Sequence, residues 1–441
     1  MTTDLYTEDF KDTPWWWEAA PTSDADDELP EETEVAVVGG GFAGLSTALE
    51  LARNDTEVVV LEAEAFGHGA SSRNGGAVSG TNVGKGTSGA GNSPVERALG
   101  AEKMRELLAG GGQAMANLET LVEREGIDCD YARRGRFTGA YTPTHYALMA
   151  HKVAQLNAGG EAEAALLPRS EQRREIATDF YFGGMTIERA GGVHPAKLQM
   201  GLLRRCRELG VRLRSHAPVT GIARDGAGFV VTTSVGSLRA RQVVVGTNGY
   251  TGRLTPWLRR RLIPAASYII ATEEMPEDRV RALIPNDRVI SDSKRVLNYY
   301  RLAPDGRRVL FGGRARLAAG DPRDCVPILY RQMLDVFPQL QGVRVSHAWT
   351  GGIAFTFDFL PHMGVHDGVH YMAGCNGSGV AMMTYLGTQT AQKILGQQNR
   401  PCAFDGLGFP SRPFYTGHPW FLPLVSGYYA LRDRMDRAAA G

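Results

Sequence analysis

The hydrophobic pattern near the beginning of the chain predicts a parallel sheet with a helical crossover. Residues 35–38 form an uninterrupted apolar run, which is typical of a strand buried on both faces. Glycines follow at once, and the apolar periodicity of residues 43–53 predicts a helix. A second apolar run, residues 58–61, ends at Glu62. We therefore predict a strand–turn–helix–strand unit of about thirty residues.

Similar strands recur far along the chain. Residues 243–245 form a third buried apolar run, and another glycine turn near 374 precedes a helix over 379–395. Between these segments the pattern predicts further helices and strand-rich stretches: helices over 96–125 and over 196–209, with Pro195 in the first turn of the latter, and strands within 128–142, 211–240 and 260–345. The pattern predicts an α/β fold in which one domain is assembled from discontinuous segments and a second sheet is inserted.

This organisation predicts the following division of the chain. We assign residues 1–32 to an N-terminal arm, 33–95 with 190–255 and 345–400 to a discontinuous nucleotide-binding domain, 96–189 with 256–344 to a substrate domain, and 401–441 to a C-terminal tail that packs on the body. The arm is polar and acidic but contains Trp15, Trp16 and Trp17. We expect these tryptophans to hold the arm to the body, because adjacent exposed tryptophans are a liability.

Composition excludes several classes of protein. The 441 residues include 48 basic and 48 acidic side chains, without the basic excess of a nucleic-acid binder. The five cysteines are widely spaced, with no CxxC pair, so neither a disulfide framework nor a zinc site is expected. No apolar run approaches 18 residues, and the N-terminus has no signal-peptide pattern. The expected protein is cytoplasmic, without a membrane partner.

The glycine turn after the first strand carries the strongest chemical signal. Gly39, Gly41 and Gly44 form the GxGxxG pattern, which serves a tight turn, a close approach to a pyrophosphate and close packing of helix on strand. Glu62 ends the next strand, where an acid can bind the hydroxyl groups of a ribose. The predicted contacts in this unit also include Phe42, Ala43 and Ala63. The acid favours FAD or NAD over NADP, and the split layout favours FAD.

A second glycine-rich segment resembles a flavin-binding loop. Residues 67–76 (GHGASSRNGG) resemble the loop of the D-amino-acid-oxidase-like FAD oxidoreductases, in the form found in the γ-glutamylputrescine oxidase branch. The resemblance covers nearly the whole chain and extends to residues 127–131, 244–250, 299–302, 311–313, 337–340, 349–351, 374–380 and 428–434. It implies a glutathione-reductase-type FAD-binding Rossmann domain with an inserted antiparallel-sheet substrate domain.

The resemblance also implies which residues contact the cofactor and the substrate. The residues expected to contact FAD are Gly69, Ala70, Ser71, Ser72, Arg73, Asn74, Gly75, Gly76, Val219, Gly246, Thr247, Gly374, Asn376, Gly377, Ser378, Gly379 and Val380. Arg73 and Asn74 have the alternative of pairing with carbonyl groups of their own loop. The residues expected to contact substrate are Tyr299, Tyr300, Arg301 and Trp349, with a cross-sheet salt bridge as the alternative for Arg301 and a place in the core as the alternative for Trp349. Alternation along the strand directs Tyr299 and Arg301 to one face and Tyr300 to the other.

In this family a hydride equivalent passes from a carbon next to nitrogen to the flavin, and the resulting imine is hydrolysed. The resemblance thus implies an FAD-dependent amine or amino-acid oxidoreductase with a small-molecule substrate and oxygen as the first-choice acceptor. No acid–base side chain is strictly required, and we name no catalytic residue.

Some members attach FAD through a cysteine upstream of a Thr-x-Asp segment. Here Thr356 and Asp358 lack that cysteine, so non-covalent FAD is expected, with His68 the competing attachment point.

The sequence departs from the family in two places. Sarcosine-type members carry a carboxylate-binding lysine where this chain has Ala381, Met382 and Met383. Residues 79–93 are unusually glycine-rich, and they form either a lid over the active site or a surface loop.

Several alternatives stay open at this point. They are a dehydrogenase that passes electrons to a protein or quinone, a nicotinamide-dependent dehydrogenase, a flavin-binding module without catalysis, and an enzyme with a large substrate. Oligomeric state and the identity of the amine are not readable from the sequence.

Overall fold

The computed structural model describes residues 5–80, 94–158, 163–398 and 401–440. Its strands are β1 (Tyr6–Lys11), β2 (Glu32–Val38), β3 (Val58–Leu61), β4 (Ala77–Ser79), β5 (Arg136–Gly139), β6 (Ala164–Leu167), β7 (Gly184–Ile187), β8 (Ala190–Gly192), β9 (Arg212–Arg214), β10 (Val219–Asp225), β11 (Gly228–Thr233), β12 (Gly236–Val245), β13 (Leu262–Thr272), β14 (Val289–Asp292), β15 (Asn298–Leu302), β16 (Val309–Gly313), β17 (Val345–Thr356), β18 (His362–His366) and β19 (Val369–Ala373). Its α-helices are α1 (Phe42–Ala52), α2 (Ala70–Arg73), α3 (Pro94–Arg124), α4 (Pro143–Ala158), α5 (Pro195–Glu208), α6 (Pro256–Arg259), α7 (Glu277–Arg281), α8 (Val326–Val336), α9 (Gly379–Ile394) and α10 (Leu422–Ala438). The helices expected from residue 43, residue 196 and residue 379 are confirmed to within one residue at their beginnings.

The predicted crossover unit forms the centre of an eight-stranded sheet. The strands follow the order β10-β11-β12-β2-β3-β9, and β19 lies beside β12 with β18 at its other edge. Strand β2 pairs in parallel with both β3 and β12. Residues 35–38 are therefore buried on both faces, which explains their uninterrupted apolar run.

Four long helices, α1, α3, α5 and α9, cover one face of this sheet and share one hydrophobic core with it. Helices α1 and α9 approach closely because Gly387 has no side chain. A Cβ at Gly387 would overlap the carbonyl oxygen of Ala43 and lie 2.9 Å from Cβ of Ser46. The hydroxyl of Thr47 bonds the carbonyls of Ala43 (2.9 Å) and Gly387 (3.1 Å), which joins the two helices at this point.

The second large sheet has nine strands in the order β1-β17-β13-β16-β15-β14-β5-β7-β6. Its longest pairing is antiparallel, between β13 and β17. One face packs on α8 and forms a second core that includes Phe311, Leu329 and Met333. The other face lies opposite the glycine turn that follows β2, and residues of both line one cavity.

The structure divides the chain differently from the prediction at three places. Residues 345–356 were assigned to the nucleotide-binding domain but form β17, because their backbone pairs with β13 along its whole length. Helix α3 was assigned to the substrate domain, yet its apolar face (Leu107, Met115 and Leu118 among others) packs in the core of the eight-stranded sheet. Part of the predicted arm forms β1, which pairs in parallel with β17.

The N-terminal arm lies against its own chain. Trp16 is fully buried, and Trp15 packs with it against Ala196, Ile269 and Trp349.

Within the described residues no helix is long and apolar enough to cross a membrane. Most of the glycine-rich segment 79–93, for which a lid or a surface loop was expected, lies outside the described residues, since only Ser79 and Gly80 are described.

The contact between α1 and α9 predicts the effect of one substitution. We expect Gly387→Ala to lower the free energy of unfolding by about 1–3 kcal/mol, because the added methyl group overlaps backbone atoms of α1. The matched control is Gly427→Ala in α10, where no atom lies within 4 Å of the added Cβ. The control should be neutral or stabilising by up to about 1 kcal/mol. Urea unfolding measures both, and equal stability of the two variants would contradict the prediction.

Candidate functional site

A cavity of about 590 Å³ is lined by residues of both sheets. At one end it is lined by residues that follow the carboxyl ends of β2, β3 and β12, and at the other by side chains of β13, β14 and β15. The carboxyl ends of parallel strands are where nucleotide ligands bind in α/β proteins. The volume is in the range of sites that enclose a small molecule.

The glycine turn after β2 is shaped for close approach. Gly39 has a φ of +101°, a left-handed value that favours glycine. A Cβ at Gly44 would overlap the carbonyl oxygen of Gly39, so α1 can meet β2 only with glycine there. Gly41 is the N-cap of α1 without a side-chain cap, and Gly39, Gly41, Phe42 and Ala43 line the cavity. Gly44 itself serves the packing and does not line it.

Glu62 closes the turn from the neighbouring strand. Its carboxylate accepts the backbone N–H of Gly40 at 2.7 Å and that of Glu64 at 3.2 Å. Burial raises the pKa of Glu62, although both N–H groups favour the charged form. Glu62, Ala63 and Val219, which are predicted to contact the cofactor, line the cavity.

The second glycine-rich loop forms α2 and one wall of the cavity. Gly69, Ala70, Ser71, Arg73, Asn74 and Gly75 line the cavity, whereas Ser72 and Gly76 do not. The Ser71 hydroxyl accepts the N–H of Phe42 at 2.9 Å, which ties this loop to the beginning of α1. The Ser72 hydroxyl donates to the carbonyl of Gly67 and accepts from Trp17 Nε1 at 2.9 Å.

Arg73 and Asn74 bond carbonyls, as their alternative role predicted, while also lining the cavity. Arg73 donates to the carbonyls of His68 (2.6 Å) and Thr350 (3.3 Å), and its guanidinium carbon lies 4.5 Å from the ring centre of Trp17. Asn74 donates to the carbonyl of Ser71 at 2.8 Å. These contacts fix the shape of the loop.

The remaining predicted cofactor residues come from two other turns. Gly246 and Thr247 follow β12 and line the cavity. Gly377, Ser378, Gly379 and Val380 line it where α9 begins. Gly374 and Asn376 lie behind this wall, with the Gly374 N–H donating to Asn248 Oδ1 at 3.0 Å and Asn376 Oδ1 accepting from Thr356 N at 3.1 Å. The N-termini of α1 and α9 thus both open on the cavity.

The four predicted substrate residues are not brought together. Tyr299 lines the cavity, and its hydroxyl lies 2.8 Å from Oγ of Ser267. Burial raises the pKa of Tyr299 to about 12. Tyr300 points to the opposite face, where its hydroxyl bonds that of Tyr181 at 2.9 Å and its ring stacks on Phe311. The predicted alternation is confirmed, but it places Tyr300 in the second core.

Arg301 and Trp349 do not line the cavity, so their placement does not support a contact with substrate. Arg301 is buried and donates to the carbonyls of Val193 (2.9 Å) and Gly76 (3.5 Å). The guanidinium occupies space left by glycines, since a Cβ at Gly192 would lie 2.5 Å from its Nη1. Trp349 is fully buried, and its Nε1 donates to the carbonyl of Arg73 at 2.8 Å.

Other residues line the cavity that the sequence analysis did not single out. They include Ser267, Arg136, Tyr250 and Arg314. The Tyr250 hydroxyl accepts the N–H of Gly352 at 3.3 Å, and burial raises the pKa of this tyrosine. Arg314 stands two residues after Gly312, which pairs with Tyr299 and shares its face, so the strand register and not a local motif places Arg314 on the wall that carries Tyr299.

Comparison with known proteins gives consistent matches. A family model described as FAD dependent oxidoreductase (DAO) matches residues 34–393. Gamma-glutamylputrescine oxidoreductase of Escherichia coli (strain K12) is 34% identical over 416 residues, which cover 91% of this chain and 93% of that protein. The structure of glycine oxidase from Geobacillus kaustophilus matches with a TM-score of 0.70 at 21% identity, covering 87% of this chain and 99% of that one. L-proline dehydrogenase from P. horikoshii matches with a TM-score of 0.70 at 18% identity, covering 90% and 99%. The two structures share the fold of this chain.

The contacts of Arg301 predict a role in stability. We expect Arg301→Met to lower the free energy of unfolding by about 1–3 kcal/mol, because buried carbonyl groups lose a charged donor. The control is Arg307→Met, which removes an exposed ion pair with Glu274 and should cost less than about 1 kcal/mol. Chemical denaturation measures both. An Arg301→Met protein of unchanged stability would contradict this role.

Proposed function

This chain belongs to the DAO family of FAD-dependent oxidoreductases, and from that premise we propose that it oxidises the carbon–nitrogen bond of an amine or amino acid. The observation that carries the proposal is the cavity, which joins a dinucleotide turn to a sheet wall bearing Tyr299 and Ser267. The relative named for γ-glutamylputrescine and the neighbours named for glycine and proline support a substrate in which a C–H bond lies next to nitrogen.

The residues at the dinucleotide end fit FAD. Gly41 has no Cβ, so the backbone is accessible from the cavity at this position. A Cβ there would lie 2.9 Å from Oγ of Ser71. The first turn of α1 would present N–H groups to the pyrophosphate, helped by the positive end of the helix dipole. Glu62 would accept hydrogen bonds from the ribose hydroxyls, which a 2′-phosphate would not offer.

The ring end of the cofactor would lie along the second glycine loop and the beginning of α9. When bound, FAD supplies the hydride acceptor at its N5 atom and passes the electrons on, and we propose oxygen as the acceptor. Ser378 and Gly379 begin α9 in the cavity wall, where the positive end of that helix would favour negative charge. Backbone groups at the beginning of α9 would therefore add to the electrostatic environment of the ring end.

The protein's part in the reaction is to hold the amine as its neutral form and to exclude water. Only a neutral amine has the lone pair that assists loss of a hydride from the adjacent carbon. The apolar side chains of Ile269 and Val289 line the sheet wall, and desolvation there would lower the pKa of a bound amine. The imine product is hydrolysed by water after release.

Reduction of the flavin by amines is the first test. We expect anaerobic mixing of the holoenzyme with one class of a panel to bleach the visible flavin absorbance. The panel holds γ-glutamylated polyamines, N-methyl amino acids, cyclic imino acids and D-amino acids. Readmission of air should restore the absorbance within seconds if oxygen is the acceptor. A protein that binds FAD but is bleached by no member would contradict the proposal, and slow reoxidation would point to another acceptor.

The attachment of the cofactor gives a second test. We propose that FAD is held without a covalent bond, because no cysteine precedes Thr356 in β17 and Cys375, which lines the cavity, is buried. Acid precipitation should therefore leave all of the flavin in the supernatant. Flavin retained in the precipitate would contradict this, and loss of that retention in His68→Ala or Cys375→Ala would locate the bond.

A further inference from the structure

The outer face of the C-terminal helix α10 carries a row of exposed apolar side chains. They recur at intervals of three or four residues, which places them on one side of a helix. Phe421, just before the helix, already has helical backbone angles (φ −81°, ψ −13°), so Trp420 continues the spacing. Each member is more than half exposed, and Leu424 is 71% exposed. The members of this row, which we call the α10 row, are Trp420, Leu424, Tyr428, Leu431 and Met435.

The inner face of α10 holds the helix on the body of the protein. Leu422 packs in a small core with Phe355 at one end. Further along, the buried carboxylate of Asp433 accepts the backbone N–H groups of Arg295 (3.2 Å) and Val296 (3.0 Å). The helix cannot turn its apolar row inwards without losing these contacts. The row is therefore exposed because of the way in which the helix is anchored.

The exposed area of the row is large enough for an interface. The α10 row exposes roughly 600 Å² in one copy, and two copies face to face would cover roughly 1,200 Å², where the range of specific interfaces begins. Contiguous apolar patches of this size mark interaction sites. The chain has 48 basic and 48 acidic residues, so net charge does not oppose the association of two copies.

The spacing of the row is symmetric along the chain. Its centre lies between residues 427 and 428. Leu424 and Leu431 are equally far from this centre, and so are Trp420 and Met435. When two copies of α10 pack antiparallel about the centre, each Leu424 meets Leu431 of the other copy, and each Trp420 meets Met435. A face that is complementary to itself suits a twofold pair of identical copies.

The charges beside the row favour the antiparallel arrangement. Residues 421–431 contain no charged side chain, whereas Arg432 and Arg434 are exposed near the C-terminal end of the helix. In a parallel pair these arginines would lie beside the same arginines of the second copy, and like charges at an interface are unfavourable. In an antiparallel pair they lie beside the uncharged half of the other helix.

We propose that the α10 row is the interface of a twofold dimer, in which two copies of this chain pack their α10 helices antiparallel. The interface lies on an element that supports the cavity, because Asp433 holds Arg295 and Val296, and Leu297, the next residue, lines the cavity. The dimer does not depend on the proposed oxidation, since neither the substrate nor the reaction enters its argument.

Sedimentation of the holoenzyme tests the interface. We expect the parent protein to be a dimer at micromolar concentrations. Tyr428→Glu should raise the dissociation constant about a hundredfold or more, because the twofold axis brings the two introduced carboxylates together. Leu424→Glu, which removes apolar area away from the axis, should also weaken the dimer. Far-UV circular dichroism and retention of FAD show that each variant is folded.

The matched control for these variants is Val235→Glu. Val235 is also apolar and 45% exposed, but it lies in the turn between β11 and β12. This variant should associate as the parent protein does. A parent protein that is monomeric throughout, or a dimer that Tyr428→Glu and Leu424→Glu leave intact, would overturn the proposal. A monomer that binds vesicles of phosphatidylcholine and phosphatidylglycerol, and loses that binding in Tyr428→Glu, would assign the row to a lipid surface and overturn it too.

Cross-linking of introduced cysteines tests the orientation of the two helices. The five native cysteines are buried, so an introduced surface cysteine is the accessible one. Under mild oxidation Tyr428→Cys should form a disulfide with its own copy across the axis. Leu424→Cys and Leu431→Cys should not cross-link alone, since the two copies of one position lie about 10 Å apart along the helix axes, but a mixture of the two variants should. Cross-linking of each variant with itself, and not between the two, would contradict the antiparallel pairing.

Discussion

The close packing of α1 against β2 and α9 is the constraint on which the rest of the structure depends. Gly44 lets α1 begin directly above the carbonyl of Gly39, and Gly387 lets α9 lie against α1. Thr47 then bonds both helices through one hydroxyl. Because both helices begin in the cavity wall, their packing sets the relative position of two positive helix ends. A cofactor that spans the cavity needs both ends at fixed places, and backbone packing provides this without charged side chains.

Much of this centre could be predicted because its determinants are local in sequence. A strand buried on both faces requires an uninterrupted apolar run, and the turn after it requires glycines at fixed spacing, so residues 35–44 reveal both. The domain division could not be read in the same way. Strand β17 and helix α3 are assigned by their partners, β13 and α9, which lie far away along the chain. Apolar periodicity shows that an element has a buried face, and not which core buries it.

The substrate wall shows the same limit at the level of single side chains. Alternation correctly put Tyr299 and Arg301 on one face, but it could not tell which of them reaches the cavity. Arg301 is drawn away because Gly76 and Gly192 leave room for its guanidinium beside the carbonyls of Gly76 and Val193. Arg314, which is among the arginines that do line the cavity, lies just beyond the end of its strand. Of the described residues that line the cavity, the carboxylates Glu62 and Glu64 follow β3, whereas the sheet wall carries Arg136 and Arg314.

The N-terminal strand has a consequence for how the protein is made. Within the part of the chain that the structure describes, β1 pairs with β17 alone, and Trp17 contacts Arg73 and Ser72 of the second glycine loop. During synthesis β1 leaves the ribosome hundreds of residues before β17 exists. Strand β1 therefore has to wait for a partner that is made much later. Trp17 meets its contacts earlier, because Ser72 lies 55 residues further along the chain, so the two ends of this arm are placed at different stages of synthesis.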